Sequence, residues 1–165
     1  MQRLFRKYQW LMHLLLSIAG QVFRERYNLH GKTFLGGSAR VVLGEDIKTG
    51  GGVAVKVHLS RVHFTREVKL LKYLRSDFVV ELLDAYDEEE SPPTIILEGG
   101  SLSLSQYLSH SQLSHVERKL VLERVCLILD FVHSKNLVIV DLKPQNLVIF
   151  GSLLTLKLID LECLR

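Results

Sequence analysis

The segment Val138-Ile139-Val140-Asp141-Leu142-Lys143-Pro144-Gln145-Asn146-Leu147-Val148-Ile149-Phe150 sets a polar loop, DLKPQN, between two short apolar runs. Runs of this length, bounded by turn-forming residues, predict strands over Leu137 to Val140 and Leu147 to Phe150. Pro144 fixes its own φ and restricts the residue before it, so the loop has few conformations to choose from. A third strand is expected over Leu154 to Ile159, after the turn at Gly151-Ser152, and it runs straight into Asp160. Two carboxylates, an ammonium and an amide are thus carried at strand ends, where a rigid scaffold can hold them together.

Upstream of this unit the pattern is helical. Ser114-His115-Val116-Glu117 has the S-x-x-E form of a capping box, in which serine and glutamate satisfy the free amides of a helix start. The helix is expected to run to about His133 with Val121, Val125, Ile128 and Val132 on one face, and Asn136 is suited to the left-handed stop. Before it, Glu98-Gly99-Gly100 breaks an apolar run and allows the chain to cross between subdomains. Strands are expected over Phe78 to Leu83 and Thr94 to Leu97, separated by the solvated acidic turn from Asp87 to Pro93.

Further upstream, Val53-Ala54-Val55-Lys56-Val57 alternates with period 2, so Ala54 and Lys56 share a face. A lysine on an inward face needs an anion, because an unpaired buried ammonium is costly. Glu67 supplies one: Phe64, Glu67, Leu71 and Leu74 recur at helical spacing, which puts this carboxylate on the inward face of the next element. Gly50-Gly51-Gly52 marks a flexible hairpin turn before the strand, and Phe34 to Leu43, FLGGSARVVL, reads as a glycine-containing turn between apolar positions.

Composition narrows the function classes. The 165 residues are 47% hydrophobic and 24% charged, which suits one soluble domain with a substantial core. A net charge of +3, with Lys and Arg dispersed among 18 acidic residues, gives no basic stripe for nucleic acid. Cys126 and Cys163 lack metal-ligand spacing and are expected to be free buried thiols in a reducing, cytoplasmic setting; the histidines lack zinc-site spacing as well. Residues 1–30 stand apart. Arg3, Arg6 and Lys7 precede the short apolar stretch from Trp10 to Ala19, a pattern shared by targeting peptides and amphipathic helices and too short for a membrane span.

Taken in order, VAVK at Val53 to Lys56, REVKLL around Glu67, ILEGG at Ile96 to Gly100, DLKPQN at Asp141 to Asn146 and LIDLE at Leu158 to Glu162 resemble the eukaryotic protein kinase domain. The resemblance covers residues 31–165 and implies an α+β, protein kinase-like fold: an antiparallel small lobe over residues 31–98 and an incomplete, mainly helical large lobe over residues 99–165. It implies Mg²⁺ and ATP as cofactors and a protein carrying Ser or Thr as substrate, Lys143 being the form of the loop found in serine/threonine kinases. Lys56 would hold the α- and β-phosphates, steadied by Glu67. The backbone of Gly36, Gly37, Ser38, Ala39 and Arg40 would cover the phosphates. Val41 and Ala54 would pack on adenine, Leu97 would guard the back of the pocket, and Glu98 to Gly100 would present backbone groups to the adenine edge. Asp141 would orient the substrate hydroxyl, Lys143 would lie by the transferred group, and Asn146 with Asp160 would hold the metal.

The sequence also departs from that family. Ile139 and Val140 stand where histidine and arginine usually precede the aspartate, and valine cannot pair with a phosphorylated segment. Leu161-Glu162 replaces phenylalanine and glycine after Asp160, placing an additional carboxylate beside the metal ligands. Phe34 and Ala39 replace two glycines of the phosphate loop. The spacing from Lys56 to Glu67 is short. The chain stops five residues past Asp160, so it is expected to be a truncated product or fragment whose long helix leaves an apolar face for a partner. An active Ser/Thr kinase is the leading reading. Its alternatives are a pseudokinase that binds nucleotide or a partner without transfer, and a non-functional fragment.

Overall fold

The computed structural model describes residues 21–89 and 91–165. The basic and apolar start, with its expected targeting or docking role, lies largely outside the described residues. Strands β1 (Gln21–Phe23), β2 (Tyr27–Leu35), β3 (Ala39–Asp46) and β4 (Gly52–His58) lead into helix α1 (Arg61–Tyr73). Strands β5 (Leu82–Tyr86) and β6 (Thr94–Glu98) complete a six-stranded antiparallel sheet in the order β1-β2-β3-β4-β6-β5. The second part holds β7 (Leu102–Ser103), α2 (Leu104–His110), α3 (His115–Ser134), β8 (Leu147–Phe150) and β9 (Ser152–Leu158), with β7, β8 and β9 forming a three-stranded sheet. Short 3₁₀ turns at Pro144–Asn146 and Leu161–Cys163 flank the β8–β9 ladder.

Local chemistry accounts for these boundaries. Asp46 organises the β3–β4 turn: its carbonyl accepts from the amides of Thr49 and Gly50, its side chain accepts from the Lys48 amide, and Gly50 takes φ +69°. Arg26 closes on the Asp46 carboxylate at 2.7 Å, which ties the β1–β2 turn to this hairpin and holds the Asp46 pKa down to about 2. Helix α3 begins at the expected capping box, with the Ser114 side chain accepting from the Glu117 amide, and ends before Asn136 at φ +57°. Ser103 and Gln106 form a second capping box on α2, a helix the sequence pattern does not announce.

The core lies on both faces of β4. Val53, Val55 and Val57 pack with Tyr27, Leu29, Val42 and Ile96. The opposite face looks toward α1, whose Phe64, Glu67 and Leu71 are buried as their spacing predicts. Val121, Ile128 and Val132 of α3 join Leu147, Ile149, Leu156 and Leu158 in the larger cluster.

Three expectations differ from the structure. The Phe78 to Leu83 run is not a strand along its length; β5 starts at Leu82, while Phe78 to Val80 crosses to β9. There the Leu158 amide donates to the Phe78 carbonyl, the Val80 amide donates to the Leu158 carbonyl, and Val79 forms a parallel bridge with Leu158. Of Leu137 to Val140, Ile139 alone is buried and bridges Leu164, with Val138 and Val140 exposed on either side. Cys126 is exposed rather than buried, because α3 turns that position away from the core. The sheet also begins upstream of residue 31, since Tyr27 and Leu29 pack fully into it. No helix among the described residues is long and apolar enough to cross a membrane.

Candidate active cleft

Lys56 sits at the centre of the site because β4 carries it inward beside Ala54, and the register Val41↔Lys56 and Lys56↔Ile95 fixes it between two strands. Its Nζ lies 2.8 Å from both carboxylate oxygens of Glu67, with the hydrogen bond directed at Oε1, and 3.4 Å from Asp160 Oδ1. The short connection between β4 and α1 therefore still delivers Glu67 to the lysine. Burial alone would favour neutral Lys56, but Glu67 and Asp160 outweigh it and raise its pKa, keeping the ammonium charged. Burial pushes the Glu67 pKa up against the opposing pull of Lys56.

Asp160 occupies the left-handed region at φ +60°, ψ +72°, a conformation that an L residue holds only when its surroundings impose it. Here the imposing groups are the end of β9 and the 3₁₀ turn, whose Leu161 is fully buried.

The DLKPQN loop is anchored from below. Asn146 is 5% exposed; its Nδ2 donates to the Asp141 carbonyl at 3.2 Å, and its own carbonyl accepts from the Ile159 amide at 2.9 Å. Because β8 and β9 pair Leu147 with Leu158, Asn146 and Asp160 flank the same ladder end. The amide oxygen and the carboxylate are hard donors of the type magnesium takes, so this pair fits that ion. Asp141 and Lys143 form an ion pair at the cleft surface, both side chains partly exposed.

The remaining expected residues lie on β3, β4 and β6 and on the turns that flank them. Leu97 is buried and pairs with Ala54, while Val41 and Ala54 are half-buried above it. The Glu98 side chain is not free for a ligand: it accepts from the Glu81 amide at 2.8 Å and from Lys157 Nζ at 2.5 Å. At Gly99 a β-carbon would lie 2.5 Å from the Gly52 carbonyl carbon, and at Gly100 one would lie 2.2 Å from Val148 Cγ1, so the crossing needs glycine for space. The turn expected to cover phosphate is closed by the Gly36 amide donating to the Ala39 carbonyl at 3.0 Å, and a β-carbon at Gly37 would meet open space. Ser38 leaves that turn to donate to Glu162 Oε1 at 2.9 Å.

His58 is the residue that the sequence reading misses. It is fully buried, with Nε2 3.2 Å from Glu67 Oε2 and Nδ1 4.0 Å from Glu162 Oε1. The signal was available: the alternation that puts Ala54 and Lys56 on one face puts His58 there too. His63, one helical turn before Glu67, comes within 3.5 Å of Glu162.

Comparison with known proteins bears on the family and the fold. A family model described as protein kinase domain matches residues 27–164. A mitogen-activated protein kinase, HOG1A of Wallemia ichthyophaga, is 31% identical over 145 residues, covering 81% of this chain and 39% of that protein. A probable serine/threonine-protein kinase, PknB of Lactococcus lactis, is 30% identical over 144 residues, covering 81% of this chain and 23% of that protein. A solved crystal structure of a kinase domain superposes with a TM-score of 0.77 at 18% identity, over 89% of this chain and 53% of that one, a likeness of fold. The chain thus spans well under half the length of these two curated relatives.

Proposed function

The chain belongs to the protein kinase domain family, and from that membership we propose that it binds Mg-ATP in this cleft and supports transfer of the γ-phosphoryl group to Ser or Thr hydroxyls of a protein. The observation that carries the reading is the Lys56 ammonium held 2.8 Å from Glu67 and 3.4 Å from Asp160. Phosphoryl transfer asks an enzyme mainly to position reactants and neutralise charge, and a buried, oriented cation beside a metal-binding carboxylate does both. Bound magnesium would supply charge neutralisation on the phosphate oxygens, with Asn146 and Asp160 as its protein ligands. Asp141, exposed on the loop, would orient the attacking hydroxyl, and its pairing with Lys143 keeps a cation beside it. Leu97, Ala54 and Val41 form an apolar wall suited to a purine, and the backbone from Glu98 to Gly100 borders its edge.

A second reading, nucleotide or partner binding without transfer, draws support from Glu162. Its carboxylate replaces a glycine of the family pattern and draws Ser38 of the phosphate-covering turn toward α1. Incubation with Mg-ATP and a generic basic protein, comparing the chain with its Asp141→Asn variant, tests the first reading. Transfer lost by about two orders of magnitude or more in the variant supports it. Equal signals rule out transfer by this site, and no thermal stabilisation by millimolar Mg-ATP removes nucleotide binding altogether.

A further inference from the structure

We propose that His58, Glu67 and Glu162, with His63 as the outer fourth ligand, form a binding site for a zinc-type divalent cation on the α1 side of the nucleotide cleft. One donor atom from each of His58, Glu67 and Glu162 lies within 4.8 Å of the others. His63 Nδ1 is 3.5 Å from Glu162 Oε2. In a tetrahedral site with metal–ligand bonds of about 2.1 Å, donors sit about 3.4 Å apart. The His58–Glu67 separation of 3.2 Å and the His63–Glu162 separation of 3.5 Å are already at that spacing. His58 meets Glu67 through Nε2 and Glu162 through Nδ1, so coordination by Nε2 requires the partly exposed Glu162 side chain to swing to the Glu67 side of the ring, with His63 following it.

Two observations independent of that spacing point to a cation. Both ring nitrogens of His58 are buried without a hydrogen-bond partner among the described residues, whereas Glu67 Oε2 already faces the Lys56 ammonium at 2.8 Å. A buried imidazole with neither nitrogen satisfied is costly unless something arrives to use it. Burial also keeps His58 neutral, the form that ligates. Charge is the second observation. Within this group of contacts the Glu67 and Glu162 carboxylates lie beside the buried imidazole with one ammonium, Lys56. Its one charge leaves an excess of negative charge beside a low-dielectric wall, which a dication balances.

The donor set selects the metal. Two imidazoles and two carboxylates suit zinc, whereas magnesium prefers oxygen donors and retained water. His63 and Glu67 stand at i, i+4 on α1, His58 ends β4 and Glu162 lies in the 3₁₀ turn after Asp160, so three elements converge on the ion. Bound metal would cross-link α1 to that turn, and through Glu162 would hold Ser38 and the phosphate-covering turn in place.

The test titrates Zn²⁺, and Co²⁺ as a visible-absorption probe, into the chain carrying Cys126→Ser to remove its exposed thiol. One equivalent bound with the intense d–d spectrum of a four-coordinate ion is expected. Glu162→Gln and His63→Gln alter partly exposed side chains and should fold; each is expected to weaken zinc at least tenfold, as is His58→Gln. His110→Gln, on the exposed end of α2, should leave affinity unchanged. Equal zinc affinity in the chain and in both Glu162→Gln and His63→Gln overturns the proposal, as does a chain that Zn²⁺ neither binds nor stabilises.

Discussion

Ser38 Oγ donates a hydrogen bond to Glu162 Oε1 at 2.9 Å across 124 positions of sequence. The contact joins the turn over the expected phosphate position to the segment after Asp160, and the Leu59 amide holds the same serine from behind through its carbonyl at 2.9 Å. A carboxylate here both occupies the serine hydroxyl and repels phosphate. Glu162→Gly removes both effects and restores space. Mg-ATP affinity should rise on the order of tenfold, about the worth of one charge-assisted hydrogen bond, as read by calorimetric titration. Unchanged or weaker affinity would show that Glu162 is not restraining the turn.

Glu67→Ala should destabilise the chain by about 3 kcal/mol, because it strands a buried ammonium. Asp160 at 3.4 Å keeps some compensation, so the loss should stop short of complete unfolding. Adding Lys56→Met should recover most of the stability while abolishing nucleotide binding. Urea denaturation of the single and double variants checks this, and additive losses would refute the pairing argument.

Acid should loosen the β3–β4 hairpin as Asp46 takes up its proton. Arg26 holds the Asp46 carboxylate at about 2, below its unfolded value of about 3.9, so its contribution is complete above the unfolded value. It is lost as pH falls from about 4 toward 2. Asp46→Asn should flatten the acid limb of a stability-against-pH curve in that window and leave the neutral region offset but level. An acid limb of identical slope would mean that other carboxylates govern it.

Gly99→Ala should lower stability by about 2 kcal/mol, the scale of overpacking, since the added carbon meets the Gly52 and Val53 backbone within 2.7 Å. Gly37→Ala, which faces open space, should cost far less. Thermal unfolding of the two variants separates a steric requirement at the crossing from a general intolerance of alanine.

Much of this was legible because period and partner chemistry agree. Lys56 needed an inward anion and the α1 periodicity offered Glu67; the capping box at Ser114 and the left-handed stop at Asn136 framed α3 to within a residue or two. The DLKPQN loop revealed its polar tips, but not that Asn146 is buried and holds Asp141 by its carbonyl. The misses have physical causes. Phe78 to Val80 is apolar because it crosses to β9, and single-sequence periodicity does not separate a crossing from a strand. Val138 and Val140 are strand formers whose side chains are left exposed, since the short pairing of this segment with Leu164 and Arg165 buries Ile139 alone. Ser38 and Glu162 meet through tertiary packing, which no local pattern encodes. His58 was within reach of the alternation argument, had it been carried one pair of residues further along β4.

The reciprocal amide contacts of Phe78 and Val80 with Leu158 give the two sheets a second junction besides the backbone passing through Gly99 and Gly100. These two backbone junctions define a line, so rotation about it need break only side-chain contacts such as Ser38–Glu162 and Lys56–Asp160, while twisting across it must break paired amides. Opening of the cleft is therefore expected to resemble a jaw rather than a swivel, with the Lys56 and Asp141 sides separating most where they lie farthest from that line. Amide exchange at Val80 and Leu158 should accordingly be among the slowest in the chain even while the cleft opens and closes.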